Sequence, residues 1–83
     1  MTREAEIYAA LTEMFRELFA DEAIVLSAET TAADIEGWDS FNHMNIVVAT
    51  EARYGIQMDF AEIEDLRCVG DLVFIIIRKL GAA

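Results

Sequence analysis

Apolar residues fall into four stretches with helical spacing, separated by one long break and two short ones. Between Thr2 and about Ala20, Ile7, Leu11, Met14 and Leu18 recur every three or four residues with Phe15 and Phe19 beside them. This predicts a first helix whose other face, Glu6, Glu13, Arg16 and Glu17, is solvated charge. From Ser40 to Tyr54, Phe41, Met44, Val47, Val48 and Ala52 repeat the spacing up to Gly55, the residue expected just past a helix end, and predict a second helix buried on that stripe. Asp59 to Asp65 carries Glu62 three residues after Asp59, a reciprocal capping pair, with Phe60 and Ile63 as its apolar contacts, and reads as a short third helix. Val69 to Leu80 places Val69, Leu72, Val73, Ile76 and Leu80 on one face, with Arg78 and Lys79 in the last turn and Gly81 after it, a fourth helix. The run Ile75-Ile76-Ile77 is expected to be core with one exposed branch, since no segment approaches the roughly 20 apolar residues of a membrane span.

The long break, Asp21 to Asp39, has no sustained period, yet Ile24, Val25, Leu26 and Ile35 are apolar enough to pin it to a core. Within it Thr31, Asp34 and Gly37 resemble an N-cap, a single helical turn and a glycine stop. The pattern is therefore all-α: a small four-helix bundle with a long loop between helices 1 and 2 and a short third helix.

Charge narrows the partners. Sixteen acids against six Lys and Arg give a net charge of −10, so a phosphate backbone is repelled and nucleic acid is excluded, whereas basic protein surfaces are complementary. Eighty-three residues make one domain that can spare little core for an enclosed catalytic cleft, which argues against an enzyme. Met1 to Glu6 lacks the basic-then-apolar layout of a signal peptide and Cys68 is unpaired, so a cytoplasmic protein without stable membrane insertion is expected.

Trp38-Asp39-Ser40-Phe41 stands where the long loop enters the second helix. Asp and Ser are common helix caps, so by themselves they say little, and loss of a Ser40 cap is expected to cost about 0.5–2 kcal/mol. A serine at a helix start on an exposed loop is also open to another enzyme, and a phosphate attached to it would meet the free N–H groups and positive end of the helix dipole.

Over about residues 5–80 the order of elements and the local sequence resemble the acyl carrier protein family, and three stretches carry the resemblance. They are Leu26 to Ser40, where Thr30-Thr31 and Asp34-Ile35 precede Gly37-Trp38-Asp39-Ser40-Phe41 much as the family's loop leads into its Asp-Ser-Leu signature; Glu51-Ala52-Arg53-Tyr54-Gly55-Ile56, similar to its Glu-x-x-Phe/Tyr-Gly-Ile close of the second helix; and Val69-Gly70-Asp71-Leu72-Val73, similar to the opening of its last helix. The resemblance implies a single carrier domain, residues 1–83, with Ser40 modified by 4′-phosphopantetheine from coenzyme A through a phosphopantetheinyl transferase. It further implies that the arm carries acyl, aminoacyl or peptidyl groups as thioesters to enzymes with basic docking patches, and that the chain is a monomer. Asp39, Trp38, Phe41 and His43 are then the expected neighbours of the arm, and Asp39, Asn42, Asn45 and Glu51 the expected docking residues.

The chain also departs from the family. Phe41 replaces the usual Leu, and Asn42 and Asn45 stand where acids are common, which predicts a dedicated carrier with a partly neutral docking face. Cys68 stands where a Thr cap is common and reads as a small core residue. Phe41 and Met44 are expected to border a cavity that shelters part of an acyl chain. For His43 the readings are an exposed, idle ring or a contact to phosphate or partner; for Trp38, burial against the loop or a place over the arm or a partner.

Catalytic alternatives fare poorly. Ala61 and Ile63 occupy ligand positions of a would-be calcium loop at Asp59 to Asp65, and one His with one Cys does not make a zinc set. Ser40 and His43 on one helical turn lack an oxyanion cavity. The rival is a non-modified helical interaction module with the carrier fold, binding a basic or apolar partner surface.

Overall fold

The computed structural model describes residues 3–81, which form four α-helices, α1 (Arg3–Leu18), α2 (Ser40–Tyr54), α3 (Phe60–Glu64) and α4 (Val69–Gly81), with a short 3-10 turn at Ala32–Asp34 in the long loop. No strand occurs among them. Helix α1 packs against both α2 and α4. Its buried stripe is Ile7, Leu11 and Phe15, four residues apart, so one face turns continuously inward. Met14 and Leu18 are only partly buried, and Thr2 lies outside the described residues. The helix ends with Ala20 in the left-handed region (φ 50°), closed by the Asp21 N–H bonding back to the Arg16 carbonyl. Arg16 is not free surface charge: its Nε donates to the Ile24 carbonyl at 2.9 Å and anchors the start of the loop.

The loop alternates. Ile24 and Leu26 are buried and Val25, expected among the pins, is 77% exposed, because successive residues of an extended segment point to opposite sides. Ile35 is buried as expected, the Asp34 carboxylate accepts from the Thr31 N–H at 2.9 Å, and Gly37 takes φ +92°. The loop's far wall is the start of α4. There the Val69 and Gly70 N–H groups, which have no partner inside their own helix, donate to the carbonyls of Thr30 and Ala28 at 2.8 and 3.0 Å. A Cβ on Gly70 would lie 2.9 Å from the Ala28 oxygen, so the close approach requires glycine. Asp71 completes the cap by accepting from the Arg67 N–H, while the Cys68 side chain is partly buried and the residue's carbonyl receives the Asp71 N–H.

Of the stripe that the spacing of α2 suggested, only Val47 is buried. Ile46, Val47 and Thr50 face the core, whereas Phe41 (74% exposed), Met44 (46%) and Val48 (58%) look outward, and Ala52 is exposed. The helix carries apolar residues on two faces, and the polar Thr50 disguised the inward one. Thr50 is fully buried, with its hydroxyl 3.9 Å from the Met14 sulfur. Gly55 ends the helix in the left-handed conformation (φ 63°), as its position implied.

Asp59 and Glu62 form the expected reciprocal cap of α3: Asp59 Oδ1 accepts from the Glu62 N–H, and Glu62 Oε1 from the Asp59 N–H. Phe60, expected to be an apolar contact, is 76% exposed, and Ile63 alone of that pair packs on the core. Ile75 and Ile76 are buried and Ile77 partly so; the exposed branch of α4 is Phe74.

Glu62 also pairs with Arg78 and, at 3.0 Å, with Lys79, latching α3 to the end of α4. The Asp59 N–H first, and then these two cations, hold its carboxyl below its ordinary value of 4.5. A carboxyl whose pKa is lowered by folding contributes stability that is complete above the ordinary value and fades as pH falls through the lower folded one. We therefore expect Glu62→Gln to melt below wild type at pH 7, with the difference closing as acid neutralises the wild-type carboxyl. Thermal melts of both proteins from pH 7 to 3 read this, and a constant difference would place the effect elsewhere.

Candidate functional site

The candidate site is the junction of the long loop and α2. Asp39 is the N-cap of α2: its backbone is extended (φ −108°, ψ −172°) and its Oδ1 accepts from the Asn42 N–H at 2.8 Å. Ser40 is consequently the first helical residue and not the cap, so its exposed hydroxyl has no capping duty.

Behind this turn the aromatic side chains interlock. The Trp38 ring meets Phe15 edge-on, with centroids 5.4 Å apart and planes at 79°, and lies 6.5 Å from Phe19. The His43 ring lies beside it, with centroids 6.0 Å apart and planes 23° from parallel, and the indole N–H donates to His43 Nδ1 at 3.1 Å. An indole only donates, so Nδ1 is the bare nitrogen and the ring proton sits on Nε2, 3.4 Å from the Ile63 carbonyl. His43 is thus neither idle nor free. It bridges the loop to α3, and Trp38 is held against the core.

These commitments limit the chemistry. With both His43 nitrogens engaged elsewhere, the ring does not serve as a base for Ser40. No cluster of three or more metal-ligating side chains occurs among the described residues, and none of their helices is long and apolar enough to cross a membrane. What the junction offers is an accessible hydroxyl on a fixed turn, next to N–H groups of a helix start and above a shallow groove lined by Ala32, Trp38, Asp39 and His43.

Of the expected docking residues, Asp39 is exposed beside Ser40, while Asn42, Asn45 and Glu51 are partly buried and bonded within the chain. Asn42 Nδ2 donates to the Gly37 carbonyl at 2.7 Å and Asn45 Nδ2 to Asn42 Oδ1 at 3.1 Å. Glu51 Oε2 accepts from the Met58 N–H at 2.8 Å and so braces the turn into α3. Phe41 and Met44, expected to border a cavity, are instead exposed. With Val48 they form an exposed apolar strip leading away from Ser40.

No protein-family model matches the chain. Individual proteins do. The holo acyl carrier protein of Geobacter metallireducens, solved by solution NMR, is similar with a TM-score of 0.84 and 44% identity, over 90% of this chain and 86% of that one. The acyl carrier protein of Thermotoga maritima is 28% identical over 81 residues, 98% of this chain and all of its own length. The meromycolate extension acyl carrier protein of Mycolicibacterium aurum is 33% identical over 70 residues, 84% of this chain and 72% of its own. The chain belongs to the acyl carrier protein family. As an acyl carrier protein it is a carrier and not an enzyme. The helical order expected from the sequence is the order seen in the acyl carrier protein fold. Among the features unread in the sequence are the Asn42 and His43 bonds back to the loop, for which the available signal was a pair of hydrogen-bonding side chains in the first turn of a helix.

Proposed function

We propose that Ser40 is the attachment point of 4′-phosphopantetheine, transferred from coenzyme A by a phosphopantetheinyl transferase, and that the loaded carrier delivers acyl groups to biosynthetic enzymes. The observation that carries this reading is the placement of Ser40: exposed, first in α2, free of capping, on a turn held from both sides. When attached, the arm supplies a terminal thiol that holds the acyl group as a thioester. The chain's own residues do the rest. The α2 N–H groups and dipole favour a phosphodiester on Ser40, Asp39 keeps the turn closed, and the groove along Trp38 and His43 offers a partly apolar bed next to the attachment point. The test is intact mass after incubation with coenzyme A and a broad-specificity transferase. One added phosphopantetheinyl group per chain is expected; an unchanged mass with several transferases would favour the non-modified interaction module.

The exposed strip of Phe41, Met44 and Val48 supports a finer reading of the partners. Basic patches on these enzymes meet acids such as Asp39 and Glu36 around Ser40, but the face of α2 itself calls for an apolar seat. Replacing Phe41 with Ser is expected to raise the KM of an acyl-transfer partner about 5–30-fold, the equivalent of about 1–2 kcal/mol, with little dependence on salt. The melting temperature should stay at the wild-type value, since Phe41 packs little within the fold. A KM that changes only when salt changes would return docking to charge.

A further inference from the structure

Two side chains of the first α2 turn reach back over the loop that precedes it. Asn42 grips the carbonyl of Gly37, and His43 grips the indole of Trp38. Asn45 fixes the direction of the first grip, because its side-chain Nδ2 donates to Asn42 Oδ1 and leaves the Asn42 NH2 facing Gly37. Gly37, at φ +92°, is the most conformationally free point of the approach to Ser40, and it is the point held. The grips converge on the two residues before Asp39.

We propose that Asn42 and His43 are positioning residues that hold the Gly37–Trp38 approach in one conformation, so that Ser40 is presented to its transferase preformed. The proposal rests on the reading that Ser40 is the modified residue. A loop that is competent only part of the time has its apparent affinity for the enzyme reduced by that fraction, while the step after docking is unchanged. The grips should therefore appear in KM and not in kcat. The amide at position 42 also carries a specific chemical requirement. An Asp there has no hydrogen to give the Gly37 carbonyl and sets a second carboxylate beside Asp39, so it loosens the loop even while adding a charge suited to basic partners. Docking charge and loop grip thus predict opposite signs for one substitution.

The experiment measures KM and kcat of a broad-specificity transferase for the carrier, together with amide order parameters for residues 37–39. Asn42→Ala and Asn42→Asp are each expected to raise KM about three- to tenfold with kcat within about twofold, and to lower the order parameters. His43→Ala should do the same. His43→Asn, whose side-chain oxygen reaches the place of Nδ1, keeps the indole bond and should stay near wild type. Circular dichroism checks folding, and should an Asn42 variant fail to fold, the His43 pair carries the test alone. Order parameters that stay at wild-type values, an unchanged KM in Asn42→Ala, or a lowered KM in Asn42→Asp would overturn the proposal. A wild-type chain that takes no arm, with order parameters falling as expected, would instead overturn the reading of Ser40 and leave the grips standing.

Discussion

With Ser40 replaced by Ala, the chain should fold within about 0.5 kcal/mol of wild type and accept no phosphopantetheine at all. The sequence alone had suggested a cap loss of about 0.5–2 kcal/mol for this change. The structure moves that cost to Asp39, whose carboxylate makes the capping bond to the Asn42 N–H. At the first helical position Ala is a good helix former, and the lost hydroxyl was exposed. Asp39→Ala should therefore be the less stable of the two variants and still be modified, at a reduced rate. Intact mass and thermal melts of both proteins distinguish the roles. Any modification remaining on the Ser40→Ala chain would move the attachment point to another hydroxyl.

Phe15→Ala should have the largest effect on stability, about 3–5 kcal/mol. Phe15 is wholly buried on α1 and is the ring against which Trp38 rests edge-on. An 83-residue domain is typically stable by only about 4–12 kcal/mol, so this one change removes a large share. It should also act at a distance, because the cavity lies beneath the turn that presents Ser40. Urea unfolding monitored by helical circular dichroism gives the stability, and Trp38, the sole tryptophan, reports the loop: its emission should shift to the red before the helices melt. A loss under about 1 kcal/mol with unchanged emission would mean that the loop is pinned by Ile24, Leu26 and Ile35 without help from the aromatic cluster.

Helix positions were legible because local signals fix them: Gly55 at a helix end, Asp59 with Glu62 at a helix start, Arg78 and Lys79 in a last turn. The inward face of α2 was not, since Phe41, Met44 and Val48 are as apolar as Ile46 and Val47 and only packing against α1 and the loop decides between them. Likewise, Ser40 could be singled out from its neighbours in sequence, whereas the fate of Trp38 and His43 depends on Phe15 and Ile63, more than twenty residues before one and twenty after the other. The roles of Asn42 and Glu51 were hidden for a related reason. A side chain that bonds a backbone group of its own chain looks, in sequence, the same as one that waits for a partner.

The joint between the long loop and the start of α4 bears on how the molecule opens. Amide protons in the first turn of a helix ordinarily exchange with solvent fastest, yet those of Val69 and Gly70 are sequestered by the carbonyls of Thr30 and Ala28. They become labile only when the loop lifts away, so their exchange times the departure of a segment some forty residues distant in the chain. Loop and helix start behave as one cooperative unit, and the stretch from Ala28 to Thr30 cannot fray on its own as an uncovered connection would.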